Sequence, residues 1–90
     1  MSKKRLLMFY EQNCDPCIVM EPLVERLEDE LNMKIGKLEV WYNKNNRKLL
    51  TEYAGFSSVP FFYNETSGKK ITGECDYDNL KNWALSSKND

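Results

Sequence analysis

The sequence lacks histidine altogether and has only three cysteines among its 90 residues. Structural zinc sites normally use four cysteine or histidine ligands, so a metal-binding module built on Cys14, Cys17 and Cys75 falls one ligand short. Three cysteines are also too few and too unevenly placed for a disulfide scaffold. We therefore predict no metal and no separate cofactor, and a metal-binding module is only an alternative.

The chain also lacks an excess of either charge, since 13 basic residues stand against 14 acidic ones. Nucleic-acid-binding proteins normally show a clustered positive surplus, whereas the only basic cluster here is a solvated strand start at Lys3, Lys4 and Arg5. No secretory signal is evident, and no apolar run approaches the roughly 20 residues that span a bilayer. We expect one cytoplasmic domain over residues 1–90 that is monomeric and binds neither nucleic acid nor membranes.

Hydrophobic patterning predicts the element order βαβαββα. Residues 6–10 are continuously apolar, which is typical of a strand covered on both faces. The pattern is helical from Asp15 toward Met33, and Pro22 is expected to kink this helix. The alternation of polar and apolar residues over 35–42 predicts a strand at a sheet edge. The predicted buried face of the first helix consists of Val19, Leu23, Val24, Leu27 and Leu31.

The second half of the chain predicts a short helix, a hairpin and a final helix. The short helix is expected to be capped by Asn45 or Asn46 and to end at Gly55. Residues 61–73 have the pattern of an antiparallel hairpin. Asp76 is the expected N-cap of the final helix. The predicted inner face of that helix consists of Leu80, Trp83 and Ala84.

The most informative stretch is Cys14-Asp15-Pro16-Cys17, because it lies where the first strand gives way to the first helix. At a helix N-terminus the first sulfur lies near unpaired backbone N–H groups and the positive end of the helix dipole, which stabilise a thiolate. The second thiol lies one turn further on, within reach of the first. Such a pair can attack a disulfide, form a mixed disulfide and resolve it internally.

Four features follow one another in a definite order along the chain. Cys14 and Cys17 follow the first strand, Pro22 lies five residues later, Val59-Pro60 precedes the hairpin, and Gly73 precedes the last helix. In this order they resemble the thioredoxin superfamily. The resemblance implies an α/β minimal thioredoxin fold, with a four-stranded mixed sheet and three helices. The strand and helix that begin a full thioredoxin are missing from it. It also implies a cis peptide bond at Pro60, beside the dithiol.

The resemblance implies a thiol-disulfide oxidoreductase that reduces protein disulfides, with Cys14 as nucleophile and Cys17 as resolving thiol. Disulfide-containing proteins would be its substrates, and a thioredoxin reductase or glutathione would supply electrons. Pro16 is similar to thioredoxin, whereas residues 73–76 are similar to a run that helps glutaredoxin bind glutathione. A glutathione-dependent, glutaredoxin-like reductase and a redox-sensing domain are therefore alternatives.

Neighbours of the dithiol are predicted to shape its chemistry. Asp15 places a negative charge beside the first cysteine. Together with Pro16 it is predicted to set the reduction potential of the pair, so that the protein acts as a reductant. Glu11 stands where glutaredoxins tend to carry a lysine. Met8 stands where thioredoxins keep a buried aspartate that assists proton transfer. Proton transfer at the second cysteine is therefore expected to use solvent and the departing thiolate, or Glu11.

The resemblance also implies a substrate-binding surface around the proline. Val59 is expected to present backbone groups to an extended substrate, while Phe56 and Phe61 either give apolar contact or pack in the core. Cys75 is either a semi-buried apolar filler or a regulatory thiol open to oxidation. The predicted substrate-binding residues are Val59, Pro60, Phe61, Gly73 and Glu74.

Overall fold

The computed structural model describes residues 5–86 and has a single four-stranded sheet among them. Its strands are β1 (Leu6–Tyr10), β2 (Gly36–Glu39), β3 (Phe61–Asn64) and β4 (Lys70–Thr72), in the order β2-β1-β3-β4. β1 pairs in parallel with β2 and antiparallel with β3, which in turn pairs antiparallel with β4. The predicted mixed sheet, with the second strand at its edge, is confirmed.

Helices cover both faces of β1, as its continuous apolar sequence predicts. Leu7 and Phe9 point to one face and pack with residues of α2 (Lys44–Ala54). Met8 points to the other face, where it packs with α1 (Asp15–Leu31) and α3 (Tyr77–Leu85). The alternating direction of strand side chains therefore divides the core into two clusters, one on each side of the sheet.

Helix α1 begins where the sequence predicts but ends two residues before Met33. Asn32 adopts the left-handed conformation there, with φ of 50°, and its N–H bonds to carbonyls of the last turn. Asparagine tolerates this conformation better than most residues, so Asn32 is a C-cap that the hydrophobic pattern does not reveal. The helix continues through Pro22 without a break.

The buried face of α1 differs from the predicted one. Val19 was predicted to lie inside but is 51% exposed, so that prediction is wrong. Leu23 and Leu31 are half-buried. The face that meets the sheet and α3 is rotated by one position, because Met20 rather than Val19 fills the space against Met8. The fully buried positions are Cys17, Met20, Val24 and Leu27.

The connection between β2 and α2 also differs from expectation. β2 ends at Glu39, so the predicted strand over 35–42 is too long. Trp41 and Tyr42 lie beyond it and are 59% and 73% exposed. The Glu39 carboxylate accepts hydrogen bonds from both of their backbone N–H groups, at 2.8 and 2.9 Å, which turns the chain out of the sheet.

The cap of α2 lies before the predicted residues. Asn43, not Asn45 or Asn46, is the N-cap, and its side chain accepts a hydrogen bond of 2.9 Å from the Asn46 N–H. Gly55 ends the helix in the left-handed conformation, with φ of 80°, as predicted. The asparagine cluster contains three acceptable caps, and only the tertiary position of the turn selects among them.

The last helix and its cap agree with the prediction. Asp76 accepts a hydrogen bond of 2.8 Å from the Asn79 N–H, and Leu80, Trp83 and Ala84 are buried. Within residues 5–86, no helix has the length and apolar character needed to cross a membrane.

Asn64 ends β3 and joins it to the end of α3. Its side chain is 1% exposed, although the sequence around it is typical of a polar turn. Its Nδ2 donates to the Trp83 carbonyl at 2.9 Å and to Oγ of Ser86 at 3.1 Å, and its Oδ1 accepts from the N–H groups of Thr66 and Ser67. One buried amide therefore organises both the hairpin turn and the helix end.

We expect Asn64→Ala to lower the free energy of unfolding by about 2 kcal/mol, because it removes the hydrogen bonds of a buried amide to the Trp83 carbonyl and to the N–H groups of Thr66 and Ser67. Urea unfolding of the oxidised protein, followed by circular dichroism, measures this. Asn82→Ala is the matched control, since Asn82 is exposed on α3, and it should change stability by less than about 0.5 kcal/mol. Equal effects of the two substitutions would contradict the role assigned to Asn64.

Candidate redox site

One end of the sheet gathers the predicted site residues. β1 ends at Tyr10, paired with Glu39 at the end of β2. β3 starts at the same end, because Phe61 pairs with Phe9, and β4 finishes there, because Thr72 pairs with Phe61. The segments that leave or enter the sheet at this end are residues 11–14, 40–43, 55–60 and 73–76.

The two cysteines of the motif form a disulfide across the first turn of α1, with their Cα atoms 5.2 Å apart. Cys14 is the N-cap of the helix, and its Sγ accepts a hydrogen bond of 3.2 Å from the Cys17 N–H. Cys14 is half-buried, whereas Cys17 is only 3% exposed. The outer sulfur is therefore the accessible one, and the helix end stabilises its thiolate when the pair is reduced.

The proline loop (residues 55–60) is joined by a hydrogen bond to the loop after β4 (residues 73–76) at this end of the sheet. The Val59–Pro60 peptide bond is cis, as the resemblance implies. The buried Pro60 accepts a hydrogen bond of 2.8 Å from the Gly73 N–H through its carbonyl. Gly73 has φ of 84°, a conformation that favours glycine. Val59 is half-buried and Glu74 is exposed beside these two residues.

The aromatic residues near the proline have separate environments. Phe61 is fully buried, with its ring 5.9 Å from that of Phe9, so the structure selects core packing over substrate contact for this side chain. The Phe56 ring meets Phe61 edge-on at 6.1 Å but is still 42% exposed. Only Phe56 of the two has apolar surface to offer a bound peptide.

Acidic side chains belong to two of these segments and to the first turn of α1. Glu11 follows β1 and is half-buried, while Asp15 in the first turn of α1 and Glu74 after Gly73 are exposed. Negative charge near the Cys14 sulfur opposes the stabilisation that the helix end gives to a thiolate. The electrostatic environment of the disulfide is therefore set by two opposed effects.

A cleft of about 230 Å³, which we call the Cys17 cleft, opens beside the inner cysteine. It is lined by Met8 and Cys17 and by three charged side chains, those of Glu11, Glu21 and Lys37. Of these three, Glu11 is a predicted site residue, whereas Glu21 and Lys37 are not predicted by the sequence. The signal for Glu21 is its spacing, four residues after Cys17 on the same helix. Lys37 could be found only from its pairing opposite Met8 in the sheet.

Cys75 is half-buried and packs against the cluster formed by α1, α3 and one face of the sheet. Burial raises the pKa of its thiol, and the neighbouring Asp76 raises it further. These properties favour the interpretation of Cys75 as an apolar filler. Over residues 5–86, no three or more His, Cys, Asp or Glu side chains are grouped so that they could hold a metal ion.

Comparison with known proteins gives a structural match without a sequence match. No protein-family model and no curated protein sequence matches the chain. A variant thioredoxin from Halobacterium salinarum is similar with a TM-score of 0.68 and 28% identity, covering 88% of this chain and 69% of its own. Fasciola hepatica thioredoxin is similar with a TM-score of 0.71 and 22% identity, covering 91% and 78%. A thioredoxin-like protein from Clostridium perfringens gives 0.71 and 18%, covering 90% and 68%.

These structures, together with the Cys14–Cys17 pair, show that the chain is a protein of the thioredoxin superfamily. Over residues 5–86, the four-stranded mixed sheet and three helices form a thioredoxin-like α/β fold, and the N-terminal elements of the larger members are not among them. The structural neighbours and the spacing of the cysteines indicate a redox activity.

The raised pKa of Cys75 predicts that its thiol is alkylated slowly. In the folded, oxidised protein we expect Cys75 to react with iodoacetamide at mildly alkaline pH more slowly than in the urea-unfolded, still oxidised chain. The reason is that burial reduces both the thiolate fraction and the access of the reagent. A mass-spectrometric time course measures both rates. Equal rates would instead favour an accessible, regulatory Cys75.

Proposed function

We propose that the protein is a thiol-disulfide oxidoreductase that reduces disulfides in other proteins. The observation that carries this proposal is the asymmetry of the cysteine pair. Cys14 is accessible and receives a hydrogen bond at the start of a helix, while Cys17 is buried one turn further on. An accessible, stabilised thiolate suits attack on an external disulfide, and a protected neighbour suits the internal second step.

The reaction begins with the dithiol form. The Cys14 thiolate attacks one sulfur of the substrate disulfide, whose S–S bond breaks as the other sulfur leaves as a thiolate. Cys17 then attacks Cys14 in the mixed disulfide, which forms the Cys14–Cys17 bond and releases the second substrate thiolate. The substrate gains two electrons and the protein loses two. A thioredoxin reductase or glutathione then returns the pair to the dithiol form in a reducing compartment such as the cytoplasm.

An extended segment of the substrate would bind over the proline loop. Val59 forms the cis bond with Pro60 and offers backbone groups, and Phe56 offers an exposed aromatic face. Gly73 and Glu74 border the same loop through the hydrogen bond to Pro60. Main-chain hydrogen bonds bind many sequences alike, so this surface suits a monomeric reductase with several protein substrates.

An assay of disulfide reduction in a test protein checks the proposal. Wild type is measured with a thioredoxin reductase system and, separately, with glutathione and its reductase. We expect activity with the first system that is abolished by Cys14→Ser and by Cys17→Ser, because both sulfurs take part in the cycle. Cys75→Ser is the matched control and should keep the wild-type rate.

Two results would contradict this proposal. Activity with glutathione alone that survives Cys17→Ser would mean that the protein is a glutaredoxin-like monothiol reductase. No activity with either electron donor would remove the reductase function and leave a redox-sensing domain as the better interpretation.

We further propose that Asp15 destabilises the reduced form of the cysteine pair and so makes the pair a stronger reductant of other disulfides. Its charge, at about 4 Å in water-like dielectric, costs a Cys14 thiolate about 1 kcal/mol, or about 20 mV for a two-electron couple. Asp15→Asn should stabilise the reduced form and make the reduction potential more positive by about that amount. Equilibration in glutathione redox buffers measures the potential.

The matched control for this experiment is Asp29→Asn, which removes the same charge at the far end of the exposed side of α1. It should leave the potential at the wild-type value. A potential that becomes more negative in Asp15→Asn, or that shifts equally in both variants, would refute the bias assigned to Asp15.

A further inference from the structure

We infer that Glu21 accepts the proton that Cys17 must lose, acting through water in the Cys17 cleft. This inference rests on the proposed function, because it concerns the second step of that cycle. The proton acceptor is thus a side chain on α1, and the proton moves through a cleft that opens beside Cys17.

The second step requires a proton path. A thiol attacks a disulfide only as a thiolate, so Cys17 must be deprotonated before it can attack Cys14. Burial of Cys17 disfavours its thiolate and keeps bulk water away from most of its surface. The Cys17 cleft is a place where solvent can approach this side chain. Its volume of about 230 Å³ holds several water molecules, each of which occupies about 30 Å³ in the liquid.

Glu21 is placed for this task by the geometry of the helix. Residues four apart on an α-helix have Cβ atoms about 5–6 Å apart on the same face. Helical side chains also tilt toward the N-terminus, so Glu21 leans back toward Cys17. Both side chains line the cleft, and Glu21 is also exposed. It can therefore take a proton from cleft water and pass it to bulk solvent.

The other titratable groups that line the cleft are Tyr10, Glu11 and Lys37. The Lys37 ammonium donates to the Glu28 carboxylate at 3.1 and 3.3 Å, so the positive charge on the cleft wall is paired with a negative one. Glu11 lies on a loop and also borders a second cleft with Trp41 and Arg47, so the backbone does not fix it relative to Cys17 as it fixes Glu21.

The Cys17 Sγ–H proton moves through cleft water to the Glu21 carboxylate, and the electron pair stays on sulfur. The Cys17 thiolate attacks Cys14, the Cys14–Cys17 bond forms, and the bond from Cys14 to the substrate sulfur breaks. The substrate leaves as a thiolate, and Glu21 returns its proton to solvent.

Single-turnover reaction of the reduced protein with Ellman's reagent tests this assignment, in a Cys75→Ser background that removes the third thiol. Attack by Cys14 releases one coloured thiolate, and attack by Cys17 releases a second. We expect Glu21→Gln to leave the first release unchanged and to slow the second about tenfold at neutral pH. Its second release should also depend more steeply on pH, because hydroxide must replace the lost acceptor. Glu21→Asp should recover part of the rate.

The matched control is Glu25→Gln, one turn further along α1, where the same charge is removed outside the Cys17 cleft. It should follow wild type in both releases. If Glu21 acted only as a negative charge, its removal would favour the Cys17 thiolate and the second release would become faster, which would overturn the inference. An unchanged second release, or a slow one in Glu11→Gln alone, would overturn it as well. Absence of the first release in wild type would instead refute the proposed function.

Discussion

Burial of β1 on both faces is the constraint on which the rest of the structure depends. Leu7 and Phe9 on one face and Met8 on the other are almost completely removed from solvent. A sheet strand can reach this state only if neighbouring strands satisfy its backbone and helices cover both sides. α2 therefore covers one face while α1 and α3 share the other. Because α1 must return over the sheet directly after β1, the chain turns sharply at residues 11–14, and the cysteine pair lies at that turn.

The turn gives two identical side chains different chemistry. Cys14 caps the helix at the surface, where backbone N–H groups favour its thiolate and the carboxylate of Asp15 opposes it. Cys17 lies on the buried face of α1, where desolvation favours its thiol. Under the proposed function, attack on a substrate therefore falls to Cys14 and internal resolution to Cys17. The hydrogen bond from the Gly73 N–H to the Pro60 carbonyl fixes the loop before β3 relative to the loop after β4.

The sequence predicted well the features that depend on a single strong local signal. The bounds of β1, the start of α1, the Asp76 cap and the inner face of α3 follow from apolar runs, helix periodicity and capping chemistry. It failed where tertiary packing chooses between locally equivalent options. Met20 and Val19 fit the helical period almost equally well, and only the position of Met8 decides which is buried. The amide of Asn64 also looks like an ordinary turn residue until α3 brings the Trp83 carbonyl to it.

Burial of β1 also affects where a proton acceptor for Cys17 can lie. Met8 lies in the cluster between the sheet and α1, so a carboxylate at that position would lose its hydration and would need buried partners. An acid on the exposed side of the Cys17 cleft pays no such desolvation cost, but it reaches the sulfur only through water. Glu21 satisfies that second arrangement, because α1 holds it at the same cleft as Cys17. Because Met8 occupies the buried position next to α1, the proposed proton acceptor lies at the solvated cleft and not in the core.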